Sequence, residues 1–127
     1  MAQATKRLPA SRSRRPAARA ARSEVQSLRE QYAISQALLA RLLDVSLRTV
    51  SAAEKSPATP LQLRRNLTQA SRLCKALAEA MEPSFVGHWL DQPNEMLAGL
   101  KPVEAIERGQ IELVWQLVEG LRTGSPL

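Results

Sequence analysis

The sequence predicts an all-α fold with about seven helices. Leucine and alanine supply most of the apolar residues, and aromatic residues make up only 3% of the 127-residue chain. After residue 22, apolar residues return every three or four positions, which is the period of one helix face. Proline and glycine mark the ends of the periodic segments. They divide the chain into a basic arm (1–22), a helical domain (23–58), a long connecting helix (59–82) and a C-terminal helical domain (83–127).

The net charge of +6 is distributed unevenly along the chain. Residues 1–22 hold seven basic side chains and no acidic one, while residues 23–84 carry a net +2 and residues 85–127 a net −3. The arm lacks apolar periodicity and is suited to binding phosphates beside a DNA-reading motif or in the minor groove. A solubilising tail and an organelle transit peptide are the alternative interpretations of this arm.

Composition also limits the classes to which the protein could belong. The chain has neither an apolar run long enough to span a membrane nor a secretory signal, which predicts a soluble cytosolic protein. One cysteine, Cys74, and one histidine, His88, provide neither a disulfide nor a zinc ligand set. No nucleophile and base are paired and no glycine-rich phosphate loop is present. The sequence therefore predicts a binding protein without cofactor, metal or catalysis.

The first helix is predicted from Glu24 to Tyr32, because Val25, Leu28 and Tyr32 form one apolar stripe. Residues 35–56 then predict two short helices joined by a tight turn. Asp44 tolerates the left-handed backbone of such a turn, and Ser46 can cap the second helix. The apolar positions that would pack the two helices together are Leu39, Leu43, Val45, Val50 and Ala53.

This segment resembles the helix-turn-helix of the Xre family of bacterial repressors. The matching residues are Ser35, Gln36, Leu39, Ala40, Leu43, Val45, Ser46, Thr49, Val50, Ser51, Glu54 and Lys55. The chain departs from the family at Asp44 and Ser56, where glycine is usual. A helical hairpin with no role in nucleic-acid binding is the alternative.

The resemblance implies that the second helix enters the major groove of DNA. By position, the side chains that would read bases are Leu47, Arg48, Ser51 and Ala52. Arg48 alone among them can make a bidentate contact to guanine. The side chains that would contact phosphates are Gln36, Ser46, Thr49 and Lys55.

The long helix is predicted to begin with Thr59 as N-cap and Pro60 as first helical residue, and to continue to about Met81. Its wide apolar face suggests a dimer surface. The C-terminal part is predicted as a short helix ending near Leu90, a break at residues 92–94, a turn or two of helix from Pro102 to Arg108, and a last helix from Ile111 to Leu121. Trp89 and Trp115 are interpreted first as core residues.

The C-terminal part resembles the toxin-binding domain of the Xre/MbcA/ParS antitoxins. The matching residues are Trp89, Leu90, Pro93, Asn94, Leu97, Gly99, Lys101, Pro102, Val103, Glu104, Gly109, Val114, Leu117, Val118 and Gly124. The resemblance implies a bacterial type II antitoxin that is helical and dimeric, binds a RES-domain toxin that consumes NAD or uses it for ADP-ribosylation, and represses its own operon. In this family the C-terminal region is expected to cover the toxin's NAD entrance.

Transferred to this chain, the resemblance places the toxin contacts on the last helix and the tail. The residues are Glu112, Trp115, Glu119, Arg122, Thr123, Gly124 and Ser125. The acidic charge of this part would complement a basic NAD site. The alternative is a stand-alone repressor whose C-terminal helices only dimerise or sense another ligand.

Overall fold

The computed structural model describes residues 23–124, and helices are the only regular secondary structure in this part of the chain. It contains no strand, so the all-α prediction is confirmed. The basic arm and Ser125 lie outside the described residues. Between residues 23 and 124 there are two short 3₁₀ turns, Pro83–Phe85 and Glu95–Leu97, and seven α-helices: α1 Glu24–Tyr32, α2 Gln36–Leu43, α3 Leu47–Glu54, α4 Leu61–Leu77, α5 Val86–Leu90, α6 Pro102–Glu107 and α7 Ile111–Thr123.

Serine side chains cap the first three helices. Ser23, Ser35 and Ser46 each precede a helix, and each hydroxyl oxygen accepts a hydrogen bond from a backbone amide three positions on. The donating amides are those of Gln26, Leu38 and Thr49, at 3.0, 3.0 and 3.1 Å. Each cap satisfies one of the amides that a helix start leaves unbonded. The predicted cap at Ser46 is confirmed.

The turn between α2 and α3 is formed at Asp44, as predicted. Its φ of 58° lies in the left-handed region. The next amide, that of Val45, donates to the carbonyl of Ala40 at 2.9 Å, which closes the end of α2 by the six-to-one bond of a Schellman motif. Aspartate supplies here the backbone angles for which the repressor family usually has glycine.

The start of α4 differs from the prediction. Thr59 is not its N-cap, because Pro60 occupies that position and makes no side-chain cap. The buried hydroxyl of Thr59 donates instead to the carboxylate of Glu24 in α1. This charge-assisted hydrogen bond joins the residue before α4 to the start of α1. The helix also ends at Leu77, earlier than Met81, and residues 78–80 continue as turns.

Helix α4 lies at the centre of the molecule and contacts α1, α2 and α7. Its apolar face is buried within the chain, so the width of that face gives no support to a dimer surface on this helix. One cluster of buried apolar side chains extends from Val25 in α1 through α4 to Val118 in α7. The division into domains at residues 59 and 83 stays a prediction, and the core crosses both boundaries.

Gly87 shows how closely the C-terminal helices pack against the first half. A Cβ atom at this position would lie 2.3 Å from the carbonyl oxygen of Ala33, in the turn between α1 and α2. Only glycine permits this approach without movement of the backbone. Helix α5 is therefore seated directly on the helical domain that contains α1 to α3.

Candidate DNA-binding and partner-binding surfaces

The predicted base-reading side chains share one surface with two of the predicted phosphate contacts. A shallow, open depression runs across the starts of α2 and α3. Leu47 is 51% exposed and is the large apolar side chain of this surface. The side chains lining the depression are Gln36, Leu47, Arg48, Ser51, Ala52 and Lys55.

Ser46 and Thr49 stand at the start of α3 and are bonded to each other. Their hydroxyl oxygens are 2.9 Å apart, and the Ser46 oxygen also caps the helix. This start carries the positive end of the helix dipole and therefore favours an anion. Arg48 and Lys55 form no ion pair within residues 23–124, so their charges are available to a polyanion.

A polar network joins α1, α2 and α3. Arg29 of α1 donates to the carboxylate of Glu54 at the end of α3, and a second nitrogen of Arg29 donates to the carbonyl of Ile34 at 3.1 Å. The side chain of Gln36 donates to the other Glu54 oxygen at 2.8 Å. Burial alone would raise the pKa of Glu54, but the bonds from Arg29 and Gln36 outweigh it and hold that pKa below its usual value. Gln36, predicted to contact phosphate, thus also fixes the position of α2 against α3.

The predicted toxin-binding residues lie along α7. At 100° per residue, Glu112, Gln116, Glu119 and Thr123 form one stripe along the helix, and all four are exposed. Trp115 borders this stripe and is half-buried, packed against the core, as its interpretation as a core residue requires. The acidic stripe of α7 is therefore an exposed surface with an aromatic edge.

Several residues of the predicted contact set are bonded within the chain. Arg122 donates to Glu79 at 2.9 Å and to Glu119 at 2.8 Å, which anchors the end of α7 near the end of α4. The hydroxyl of Thr123 donates to the carbonyl of Glu119 at 2.9 Å. Gly124 ends the helix with a φ of 74°, where glycine is favoured. Leu113, 42% exposed beside the stripe, was not among the predicted contacts.

Three residues of the C-terminal motif shape the fold. The carboxylate of Glu104 accepts from the amide of Lys101 at 2.8 Å, and Pro102 is the first residue of α6 as predicted. The side-chain oxygen of Asn94 accepts from the amide of Met96 at 2.9 Å. Both bonds satisfy backbone donors at the start of a short helix.

Residues 23–124 contain no group of three or more histidine, cysteine or carboxylate side chains that could hold a metal ion. Cys74 is buried, and burial raises the pKa of its thiol to about 12. No helix in the same range is long and apolar enough to cross a membrane.

Comparison with known proteins gives one relative by sequence. The probable mycobacterial cidal antitoxin Rv3188 of Mycobacterium tuberculosis is 27% identical over 103 residues, which are 81% of this chain and 89% of the relative. Wherever a match of 103 residues begins in this 127-residue chain, it includes residues 25–103. The similarity to MbcA-type antitoxins is confirmed. No family model matches the chain.

The fold has a counterpart among solved structures. A chain in the crystal structure of the M. tuberculosis MbcT–MbcA toxin–antitoxin complex superposes with a TM-score of 0.66 at 21% identity. The match covers 81% of this chain and 94% of the other. The helical fold described above is therefore shared with a chain of that complex.

Proposed function

We propose that this chain is the antitoxin of a toxin–antitoxin pair and acts by binding, without catalysis of its own. The observation that carries the proposal is the extent of the similarity to a mycobacterial cidal antitoxin, which covers 89% of that protein. The similarity therefore spans at least residues 25–103 and is not confined to the segment predicted as a helix-turn-helix. A chain of the MbcT–MbcA complex, named as a toxin–antitoxin complex, has the same fold.

The partner we propose is a RES-domain toxin that consumes NAD, and the antitoxin would occlude its active site. The surface that would cover the site is the stripe of α7, with Glu112 and Glu119 along it and Trp115 and Leu113 at its edges. A pocket that holds the NAD pyrophosphate is expected to be basic, so acidic side chains would steer and orient the complex. Trp115 and Leu113 at the edges of the stripe supply apolar area of the kind that dominates interface energies.

We further propose that the chain represses its own operon by binding operator DNA through α3, as a dimer or together with the toxin. The support is the exposed depression that contains Arg48, Ser51 and Lys55, and the absence of carboxylates paired with these two cations in the described part of the chain. Two α3 helices presented one turn of DNA apart would read a palindromic operator. Dimerisation is required for this arrangement.

The test is a measurement of NAD consumption by the RES-domain protein that co-purifies with the full-length chain from its host. Adding the separated antitoxin back in equimolar amount should suppress NAD loss. The variants Trp115→Ala and Glu112→Lys should weaken suppression, whereas Gln92→Lys, an exposed change between α5 and α6, should not. Undiminished NAD loss in the presence of excess folded antitoxin would refute the proposal.

The alternative is a repressor whose C-terminal helices only dimerise or sense another ligand. It predicts that the chain binds a specific operator but has no stoichiometric protein partner. Recovery of DNA without a RES-domain protein would favour this alternative.

A further inference from the structure

The exposed face of α4 carries four cations and no acid. Arg64, Arg65, Arg72 and Lys75 are all exposed, and helix Leu61–Leu77 contains no aspartate or glutamate. Three of these cations lie beside a groove between α1 and α4, with two hydroxyl side chains among them. Leu28 and the buried Leu67 also line this groove. We name its polar α4 side chains the basic stripe: Arg64, Thr68, Ser71, Arg72 and Lys75.

The three cations of the basic stripe have no acidic partner among residues 23–124, whereas four of the eight other cations in that range have one. Arg29, Arg41, Lys101 and Arg122 each lie within 4.0 Å of a carboxylate. By contrast, Arg64 donates only to the carbonyl of Thr59 at 3.4 Å, and no ion pair involves Arg72 or Lys75 among residues 23–124. The acid at the edge of the groove is Glu24, which accepts a hydrogen bond from Thr59.

The exposed face of α4 also lacks the apolar side chains that a protein partner would cover. The large apolar side chains exposed on the described surface are Leu47, Leu61, Phe85, Met96, Leu113 and Leu121, and of these only Leu61 belongs to α4, at its first residue. Protein interfaces have an apolar core, whereas nucleic-acid interfaces are more polar and far more positive. The basic stripe also lacks the apolar face by which amphipathic helices insert into a membrane.

We propose that the basic stripe binds the phosphate backbone of duplex DNA, independently of sequence. The guanidinium and ammonium groups would neutralise phosphates, and the hydroxyls of Thr68 and Ser71 would donate to phosphate oxygens, as such side chains commonly do. Arg64 and Lys75 are about 16 Å apart along the helix axis, a distance that spans several phosphates of one strand. The inference rests on the proposed DNA-binding role and extends it to a second surface.

The experiment measures binding of the full-length chain to a fluorescent 20-base-pair duplex of random sequence, by anisotropy, from 50 to 200 mM salt. The double variant Arg72→Gln/Lys75→Gln removes two positive charges from the stripe. The matched control is Arg108→Glu, which changes the net charge by the same amount at an exposed site at the end of α6. Loss of two phosphate contacts should reduce the slope of log affinity against log salt by about 1.8.

The expected result is that the loss of affinity between 50 and 200 mM salt becomes about tenfold smaller in the double variant than in the control. If the wild-type chain binds the duplex but the double variant and Arg108→Glu have equal salt slopes, the proposal that the basic stripe binds phosphates is wrong. The proposal that α3 binds DNA would be unaffected. If the wild-type chain binds no duplex, both fail. If the double variant keeps wild-type DNA binding but no longer suppresses the toxin, the stripe belongs to the protein partner and the proposal is wrong.

Discussion

Arg41 donates two hydrogen bonds to Glu107, at 2.9 and 2.8 Å, and so ties the first helix of the helix-turn-helix to α6. The hydrogen bond from Arg41 is the main reason that the pKa of Glu107 lies below its usual value, and the same bond raises the pKa of Arg41. Asp91 extends the contact, since it lies 3.9 Å from Arg41 and 3.2 Å from Lys101. A small charge network therefore connects α2 with α6 and with the end of α5 at the surface.

Replacing Glu107 by glutamine should lower the free energy of unfolding by no more than about 1 kcal/mol, because the pair is more than one-third exposed and solvent screens it. The measurement is urea unfolding at pH 7. The control is Glu112→Gln, an exposed carboxylate with no ion pair in the described part of the chain. A loss several times larger would show that this pair contributes more than a surface interaction does.

Removing Arg29 should have a larger effect, because Glu54 would then be left charged with only 12% of its side chain exposed. We expect Arg29→Ala to cost about 2 to 4 kcal/mol in unfolding free energy. The double variant Arg29→Met/Glu54→Leu should cost less, since it removes both charges. Equal losses in the two variants would argue against the buried charge as the cause.

The same network predicts a pH dependence of stability. The folded-state pKa of Glu54 lies below its usual value, so its contribution is fully present above the unfolded-state pKa and is lost as pH falls through the folded-state pKa. Wild-type protein should lose stability in this acidic range, and Glu54→Gln should lose less over the same interval. Urea unfolding at a series of pH values from 7 to 3 measures the stability of both proteins. An equal loss of stability in the two would contradict the assignment of this pH dependence to Glu54.

Gly87→Ala should destabilise the fold by about 1 to 3 kcal/mol, because the added methyl group would press on the backbone carbonyl of Ala33. Gly109→Ala is an informative comparison. Its φ of 79° is unfavourable for alanine, but no atom lies within 4 Å of the added carbon. Thermal unfolding of the two variants separates the steric cost from the backbone cost, and a Gly87→Ala protein as stable as wild type would show that α5 can move away from the turn.

Arg48→Gln should reduce discrimination between the operator and altered sequences by about 1 to 3 kcal/mol at the base that Arg48 reads. Lys55→Gln should weaken binding to all sequences alike and lower the salt slope by about 0.9. Competition binding with single-base operator variants tests both. If Arg48→Gln weakened binding uniformly, its assignment as a base reader would be wrong.

The features predicted from the sequence are those with a local signal. Ser46 as a cap, Asp44 as a turn residue and Pro102 as a helix start depend on neighbours within a few positions, and the apolar period located most helices. Partners distant in sequence gave no such signal. Thr59 was assigned to the wrong role because Glu24 is 35 positions away, and Gly87 gave no indication that its missing side chain seats α5 on the first turn.

For the candidate surfaces too, features with a local signal could be predicted and contacts between distant residues could not. The residues of the depression on α3 could be placed from the spacing of one motif, and the structure brings six of the eight together. The intramolecular bonds of Arg122 and Gln36 could not be predicted, because each requires the relative placement of separate helices. The basic stripe on α4 was visible as charge, but its lack of acidic partners depends on the packing of the whole molecule.

The continuous core has a consequence for how such a protein could be removed from a cell. A core that runs from Val25 to Val118 favours unfolding in one cooperative transition, since a chain of this size usually has no stable partial state. A protease that captures the unfolded form would therefore eliminate the proposed DNA-binding surface and the proposed partner-binding surface together. Loss of repression and release of the toxin would then occur at the same moment and in equal measure.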